Sequence, residues 1–267
     1  MAGPRQPQLT REELRSLLLE TGRTLLIEEG LGTGFDTLTF KRVFQRVEAD
    51  TGRRISNASV IRRVWENQAD YQADVLVTIA EQEGLGEFHD TLSALEPVFA
   101  SMDLSTVEER ERSLREACRV GGAANIFSLL QSPHWSLWIA VWALATAGTL
   151  HPDEQRVAHQ QRIRDALLNG YEGVTQLWEN AYTALVEALG MRPRAPLTVR
   201  QFTVAIGALS EGCSLRQRLD PTMDGILRPT GPDGEDQDWT LFGIGLEALQ
   251  RHFFEPDPEW KPPPIPT

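Results

Sequence analysis

The sequence predicts an all-α protein with a head of short helices, residues 1–67, and a body of longer helices, residues 68–255. Apolar residues recur at helical spacing through most of the chain, and Gly- and Pro-containing segments separate the periodic stretches. No segment alternates apolar and polar residues as a half-buried strand does. The predicted helices cover residues 10–29, 40–47, 57–65, 68–82, 88–101, 104–131, 133–148, 152–190, 198–219 and 239–255.

The composition indicates a soluble, cytoplasmic protein without membrane contact. A chain of 267 residues has room for two domains, and 41% hydrophobic with 24% charged residues is ordinary for globular proteins. Cys118 and Cys213 are too few for a disulfide framework and fit a reducing compartment. The N-terminus lacks a signal-peptide core. The most apolar stretch, 135–148, is shorter than the about 20 residues of a membrane-spanning helix.

Charge is unevenly distributed along the chain. The net charge is −12, yet residues 1–70 are close to neutral, and residues 38–65 carry seven basic against two acidic residues. An acidic body with one basic segment keeps attraction to phosphate groups local. The segment alone is equally compatible with a solvated charged face.

The pattern of the head predicts a second and a third helix joined by a turn, and the third helix has a polar face that points outward. Thr39 is a suitable N-cap for the second helix, residues 52–56 form a turn, and Ser56 is a suitable N-cap for the third. On that third helix Val60 and Val64 share a face and are expected to be buried. The opposite face carries Ala58, Ser59, Arg62 and Arg63, and a small-polar and cationic face suits a DNA major groove.

Residues 38–65 and 197–221 resemble two parts of the tetracycline-repressor (TetR-like) family of transcription regulators. The first part has the Leu38-Thr39 entry, an apolar helix, a turn ending in Ile55-Ser56 and a short helix ending at Trp65. The sequence departs from the family pattern in a turn two residues longer, in Ile61 where a tyrosine is usual, and in Gln68 where a lysine is usual.

The resemblance implies a helix-turn-helix DNA-binding domain over 1–67, a ligand-binding and dimerisation domain over 68–255, and a Pro-rich tail over 256–267. It implies a homodimer that binds palindromic double-stranded DNA and is released from it, as a repressor, by a small effector. The expected DNA-binding residues are Thr39, Lys41, Arg53, Arg54, Ser56, Asn57, Ser59, Arg62 and Arg63.

Aromatic residues cluster in the body. Trp135, Trp138 and Trp142 share one face of a predicted helix in a stretch without charged residues. Such a stripe is ordinarily core, but the family encloses a ligand cavity with these helices, so we expect a neutral, largely apolar effector. The expected ligand-binding residues are Phe127, His134, Trp135, Trp138, Trp142, Tyr171 and Trp178.

Two apolar stripes predict dimerisation through the last two helices. One consists of Phe202, Ile206, Leu209 and Cys213, and the other of Phe242, Leu246, Leu249 and Phe253. The resemblance implies a four-helix bundle between two subunits, although some of these residues must pack within their own subunit.

Glycine and proline predict three irregular places in the body and tail. Gly170 and Gly173 predict a kink or break in helix 152–190, residues 220–238 predict a mobile loop, and the Pro-rich tail from Glu255 is expected to be extended or disordered.

The sequence contains no recognisable catalytic or metal-binding pattern. The five histidines lack metal-ligand spacing, and neither cysteine has a helical histidine neighbour. We therefore expect that the protein is not an enzyme and that it binds neither a cofactor nor a metal ion. An all-α enzyme using the aromatic pocket, or a protein-interaction module using the basic head, is the alternative.

Overall fold

The computed structural model describes residues 9–30, 35–57, 60, 63–81, 85–147, 154–231 and 233–261. Within them the fold is all-α, which confirms the predicted class. The helices are α1 (Arg11–Glu29), α2 (Phe40–Thr51), α3 (Gln68–Ala80), α4 (Leu85–Ala100), α5 (Val107–Gln131), α6 (Pro133–Thr146), α7 (Glu154–Ala188), α8 (Val199–Leu219) and α9 (Leu241–Phe253).

Threonine side chains set the start of most of these helices. A hydroxyl that accepts a hydrogen bond from the third residue of the first turn satisfies a backbone N–H that has no partner inside the helix. Thr10 and Thr198 do so in capping boxes, where Glu13 and Gln201 reach back to the N-cap backbone. The other threonine N-caps are Thr39, Thr106 and Thr240.

The chain divides into two compact units. The first comprises Met1–Glu83 and Pro133–Tyr171, and the second comprises Gly84–Ser132 and Glu172–Thr267. In the first unit α1 packs against α2, α3 and α6. Its core joins apolar side chains of these helices with Val60 and Trp65 and with the α7 residues Ile163 and Leu167.

In the second unit α5 packs against α4, α8 and α9. Helices α5 and α9 approach each other closely at two glycines, since a Cβ on Gly122 would lie 2.7 Å from the Gly243 Cα. Its core includes Phe202, Trp239 and Phe254, and aromatic edges meet between Phe202 and Phe254 at 4.9 Å.

The described residues also form four short strands, which the sequence did not predict and which belong to the second unit. β2 (Ile226–Pro229) and β3 (Asp236–Trp239) form an antiparallel hairpin that pairs Ile226 with Trp239. The prediction of a loop over 220–238 was therefore wrong. Trp239 is buried, and its Nε1 donates to Thr230 Oγ1 at 2.8 Å, so the hairpin is tied to the core by its last residue.

The other two strands hold the start of the tail. β1 (Met191–Pro193) pairs antiparallel with β4 (Phe254–Pro256), and the Asp257 N–H donates to the Gly190 carbonyl at 2.8 Å. The Trp260 indole donates to the Glu187 carbonyl at 3.0 Å, and Arg110 lies over its ring. The tail is thus ordered as far as Lys261, whereas residues 262–267 lie outside the described part.

The glycines of α7 predicted a kink or a break, and a break does not occur, because α7 is one continuous helix. A Cβ on Gly170 would lie 2.5 Å from the Ala80 carbonyl oxygen. Gly170 therefore serves close packing of α7 against the end of α3 within the first unit, and not an interruption of the helix.

Candidate nucleic-acid interface

The first turn of α2 exposes Lys41 beside a capped helix start. Thr39 Oγ1 accepts from the Arg42 N–H at 3.4 Å, and the Phe40 N–H donates to Gln68 Oε1 at 3.0 Å. Lys41 is exposed, and its backbone N–H has no hydrogen-bond partner among the residues that the structure describes. Because a helix start carries partial positive charge, this turn favours an anion.

α2 ends in a sharp turn that leads into a second helical segment. Gly52 has a φ of 69°, in the left-handed region that residues with a side chain rarely adopt. Arg53, which follows it, is half-buried. Helical hydrogen bonding resumes at Ser56, whose carbonyl accepts from the Val60 N–H at 3.3 Å. Ser56 and Asn57 are exposed and Val60 is fully buried. The first two residues of this segment therefore lie at the surface, while Val60 lies in the core.

The end of the segment is held by Trp65 and Arg63. Trp65 is buried and meets the Tyr71 ring edge-on at 5.0 Å. Arg63 is half-buried, and its guanidinium donates to the Leu9 carbonyl at 2.9 Å, so part of its donor capacity is used inside the protein. Two other residues predicted to contact DNA, Ser59 and Arg62, lie outside the described residues.

The arginines around α2 lie in ion pairs with acidic residues. Glu48 raises the pKa of Arg54 by hydrogen bonding, and Arg46 lowers the pKa of Glu28 in the same way. Two of the acids come from α1, so this surface is less positive than the composition of residues 38–65 suggests. The pairs are Arg42 with Glu29, Arg46 with Glu28 at 2.5 Å and Asp50 at 2.7 Å, and Arg54 with Glu48 at 2.6 Å.

The aromatic residues predicted to bind a ligand divide between the two units. In the first unit Trp135 is buried, His134 is half-buried, and Trp138 meets Tyr171 edge-on at 4.6 Å. Trp142 in the same helix is 39% exposed. In the second unit Trp178 packs against Phe88 and Tyr182, and Phe127 is 67% exposed.

The aliphatic side of α6 forms the core contact. Leu137, Val141 and Ala145 recur at every fourth residue and are buried, whereas Trp138 and Trp142 lie at the edge of that stripe. The tryptophan stripe is thus turned partly towards solvent.

A surface groove of about 560 Å³ lies between α1 and α3 in the first unit. None of the residues predicted to bind a ligand lines it, and its carboxylates suit a cation better than a neutral apolar molecule. The lining residues are Glu12, Glu13, Arg15, Ser16, Leu19, Glu20 and Thr78.

One buried carboxylate next to the candidate interface was not predicted. Asp74 on α3 is 7% exposed and accepts hydrogen bonds from Trp65, Arg15 and Arg162. Burial alone would raise the pKa of Asp74, but these three donors hold it below its ordinary value. An acidic residue between the buried Tyr71 and Val75 was the available signal, because a carboxylate on an apolar stripe needs partners.

The second unit contains a similar carboxylate. Glu247 on α9 is 5% exposed and bonds to Arg115 at 3.1 Å, Arg228 at 2.7 Å and Arg251 at 2.8 Å. Burial raises its pKa, and the arginines, Arg228 foremost, outweigh that effect and lower it. Arg228 also lies over the Trp239 ring at 4.4 Å, so Glu247 ties the β2–β3 hairpin to α9.

Comparison with models of known protein families and with curated proteins finds no match to this sequence. Among the described residues, no helix is long and apolar enough to cross a membrane. No group of three or more His, Cys, Asp or Glu side chains in that part of the chain could hold a metal ion.

Proposed function

We propose that the chain is a homodimeric transcription regulator that binds duplex DNA through residues 40–65. The observation that supports this most is the arrangement of α2, the turn at Gly52 and the helical segment that starts at Ser56. Val60 and Trp65 anchor that segment in the core, and its polar start is exposed. A polar helix start on a rigid apolar support suits insertion into a major groove.

The ion pairs around α2 are compatible with phosphate binding. Exposed ion pairs contribute little to stability because both ions remain largely solvated. Arg54 is 87% exposed in its pair with Glu48, so it can exchange a carboxylate for a phosphate with small loss. Lys41 stands at a helix start, where its charge and the backbone N–H favour the same anion.

The two lysines of the chain, Lys41 and Lys261, offer a matched test of DNA binding. Both are exposed, and only Lys41 lies in the candidate interface. Duplexes selected from a random pool would be titrated by fluorescence anisotropy between about 50 and 200 mM salt. Lys41→Gln should weaken binding and reduce the slope of log affinity against log salt by about 1.

Lys261→Gln removes the same charge and should leave both quantities unchanged. Failure to select any binding duplex would reject the function. Equal effects of the two substitutions would place the interface elsewhere on the protein.

The dimer interface is expected on a face of α8 that the sequence-based stripe did not identify. Phe202 and Ile206 of that stripe are buried in the core of the second unit. The opposite face of α8 is exposed yet carries Val204, Ala208 and Leu215 at helical spacing. A helix with a second, exposed apolar face is typical of association with another copy.

α9 shows the same property. Its buried face includes Phe242, Leu246 and Phe253, whereas Leu241 and Ala248 are exposed on another side. Small residues such as Ala248 allow close approach of helices. We propose that two subunits joined through α8 and α9 bind the two halves of a palindromic site.

Light scattering of the variant Val204→Asp tests this interface. Val204 is 56% exposed, so the substitution should leave the subunit folded while halving the mass, because a carboxylate would be buried without a partner. Leu227→Asp, at a residue that is 61% exposed on β2, is the control and should keep the dimer. A monomeric parent that binds DNA would exclude the dimer.

Release by a small, largely apolar effector remains a prediction. The half-buried pair Trp138 and Tyr171 provides aromatic surface in the first unit. A panel of neutral aromatic and aliphatic compounds would be screened by tryptophan quenching and by release from DNA. A compound acts as an effector only if it binds the DNA-free state more tightly than the DNA-bound state.

A further inference from the structure

Asp74 joins three separate parts of the first unit. Its Oδ2 accepts from Trp65 Nε1 at 2.8 Å and from Arg15 Nη2 at 2.8 Å, and its Oδ1 accepts from Arg162. Arg15 belongs to α1, Arg162 to α7, and Trp65 ends the segment proposed to contact DNA. A buried carboxylate is stable only while its partners stay in place, so Asp74 constrains all three.

The bond to Trp65 fixes the end of the DNA-binding segment. An indole has one N–H donor, and Trp65 is 5% exposed, so losing the acceptor would leave that donor buried without a partner. The Arg63 and Val64 N–H groups both donate to the Val60 carbonyl. Holding the Trp65 ring therefore holds the helical turn that precedes it.

A row of polar contacts connects α3 to α7 within the first unit. Asp70 pairs with His159 at 2.8 Å and accepts from Gln155 at 3.2 Å, and one turn further along Asp74 pairs with Arg162. On α3 the two aspartates are four residues apart, and on α7 their partners recur at helical spacing, so one face of each helix is used. A shift of α7 along α3 would break these contacts in register.

We propose that Asp74 is a positioning residue that sets the orientation of the DNA-binding segment according to the position of α7. This inference rests on the proposed function. Displacing Arg162 leaves Oδ1 of Asp74 without its partner, so the carboxylate is free to turn, and its hold on the Trp65 indole and on the end of the segment is loosened. DNA binding is thereby regulated at a carboxylate that does not itself face DNA.

The experiment removes the α7 contact without touching the segment. Arg162 is about half exposed and Asp74 keeps its bonds to Arg15 and Trp65, so Arg162→Met should lower stability but still fold, which circular dichroism checks. The Trp65 indole N–H resonance, identified by its loss in Trp65→Phe, should shift in Arg162→Met, and amide exchange of residues 60–65 should accelerate. Asp165→Asn, at an exposed carboxylate of α7 that accepts from Gln161, should change neither.

DNA binding provides the functional readout. Arg162→Met should raise the Kd for the selected duplex about tenfold, and Arg162→Lys, which keeps a charge near Asp74, should restore most of the affinity. Trp65→Phe, which keeps an aromatic ring but removes the N–H donor together with part of the buried ring volume, should weaken binding similarly. An Arg162→Met protein with the parent's affinity, or with an unmoved Trp65 resonance, overturns the proposal.

The two proposals fail in distinguishable ways. If the parent binds no duplex, the proposed function fails, and the link from α7 to Trp65 is then judged on the indole resonance alone. An unchanged resonance in Arg162→Met would overturn the link in that case as well.

Discussion

The two units use the same stabilising device for different ends. Among the described residues, each contains one carboxylate that is less than a tenth exposed and is held by arginines. Glu247 is held by guanidinium groups alone, and these tie a hairpin and a helix into one body. Asp74 is held by two guanidinium groups and by the indole N–H of Trp65. A buried carboxylate thus joins a hairpin to a helix in the second unit, whereas in the first we infer that it orients the segment that ends at Trp65.

The largest expected effect comes from removing the purely structural carboxylate. Glu247→Ala leaves Arg115, Arg228 and Arg251 without their shared partner and should lower the free energy of unfolding by about 3–5 kcal/mol. Glu247→Gln keeps part of the hydrogen bonding and should cost less. Denaturant unfolding followed by circular dichroism measures both, and a loss below about 1 kcal/mol for Glu247→Ala would contradict the role of Glu247.

Acid should weaken both carboxylate networks together. The pKa values of Asp74 and Glu247 lie below their ordinary values of 3.8 and 4.5. A carboxyl with a lowered pKa in the folded state stabilises the fold above its unfolded pKa, and this contribution is lost as the pH falls through the folded value.

The free energy of unfolding should therefore decrease as the pH drops below 4.5. The double variant Asp74→Asn/Glu247→Gln should show a flatter dependence than the parent, with the same denaturant assay run at a series of pH values. A parallel dependence would mean that other groups dominate acid unfolding.

The smallest effects separate half-buried from exposed arginines of the second unit. Arg228→Met loses a bond to Glu247 and the stacking on Trp239, and should cost about 1–2 kcal/mol. Arg192→Gln, at an exposed arginine whose partner Glu255 is only half-buried, should cost less than about 1 kcal/mol. Thermal unfolding of the two variants compares them directly, and equal losses would show that burial does not set the difference.

Local signals in the sequence predicted the helices well. Helical periodicity and capping threonines involve residues within about four positions of each other, so they can be recognised in the sequence alone. Helices α1, α2 and α8 therefore begin within one residue of their predicted positions. The hairpin over 226–239 was missed because its strands are four residues long and one carries alternating acids. Its stability depends on Trp239, whose burial requires α5 and α9 nearby.

The candidate interface was predictable only in part. The turn and the outward position of Ser56 follow from local pattern, and the structure agrees with both. The pairing of Arg42 and Arg46 with Glu28 and Glu29 joins residues that are far apart in sequence, so a count of charges in one segment could not reveal it. The divided ligand-binding set has the same cause, because helical faces alone do not determine which helices meet.

The pairing of β1 with β4 has a consequence for proteolysis. The Arg194–Ala195 bond carries the side chain that trypsin recognises, and Arg194 is exposed. Its N–H donates to the Phe253 carbonyl at 2.8 Å, and its guanidinium bonds to the Phe254 carbonyl and to Glu255. A protease can bind the segment around Arg194 only after that segment has separated from residues 253–255. Cleavage at Arg194 therefore reports on release of β4.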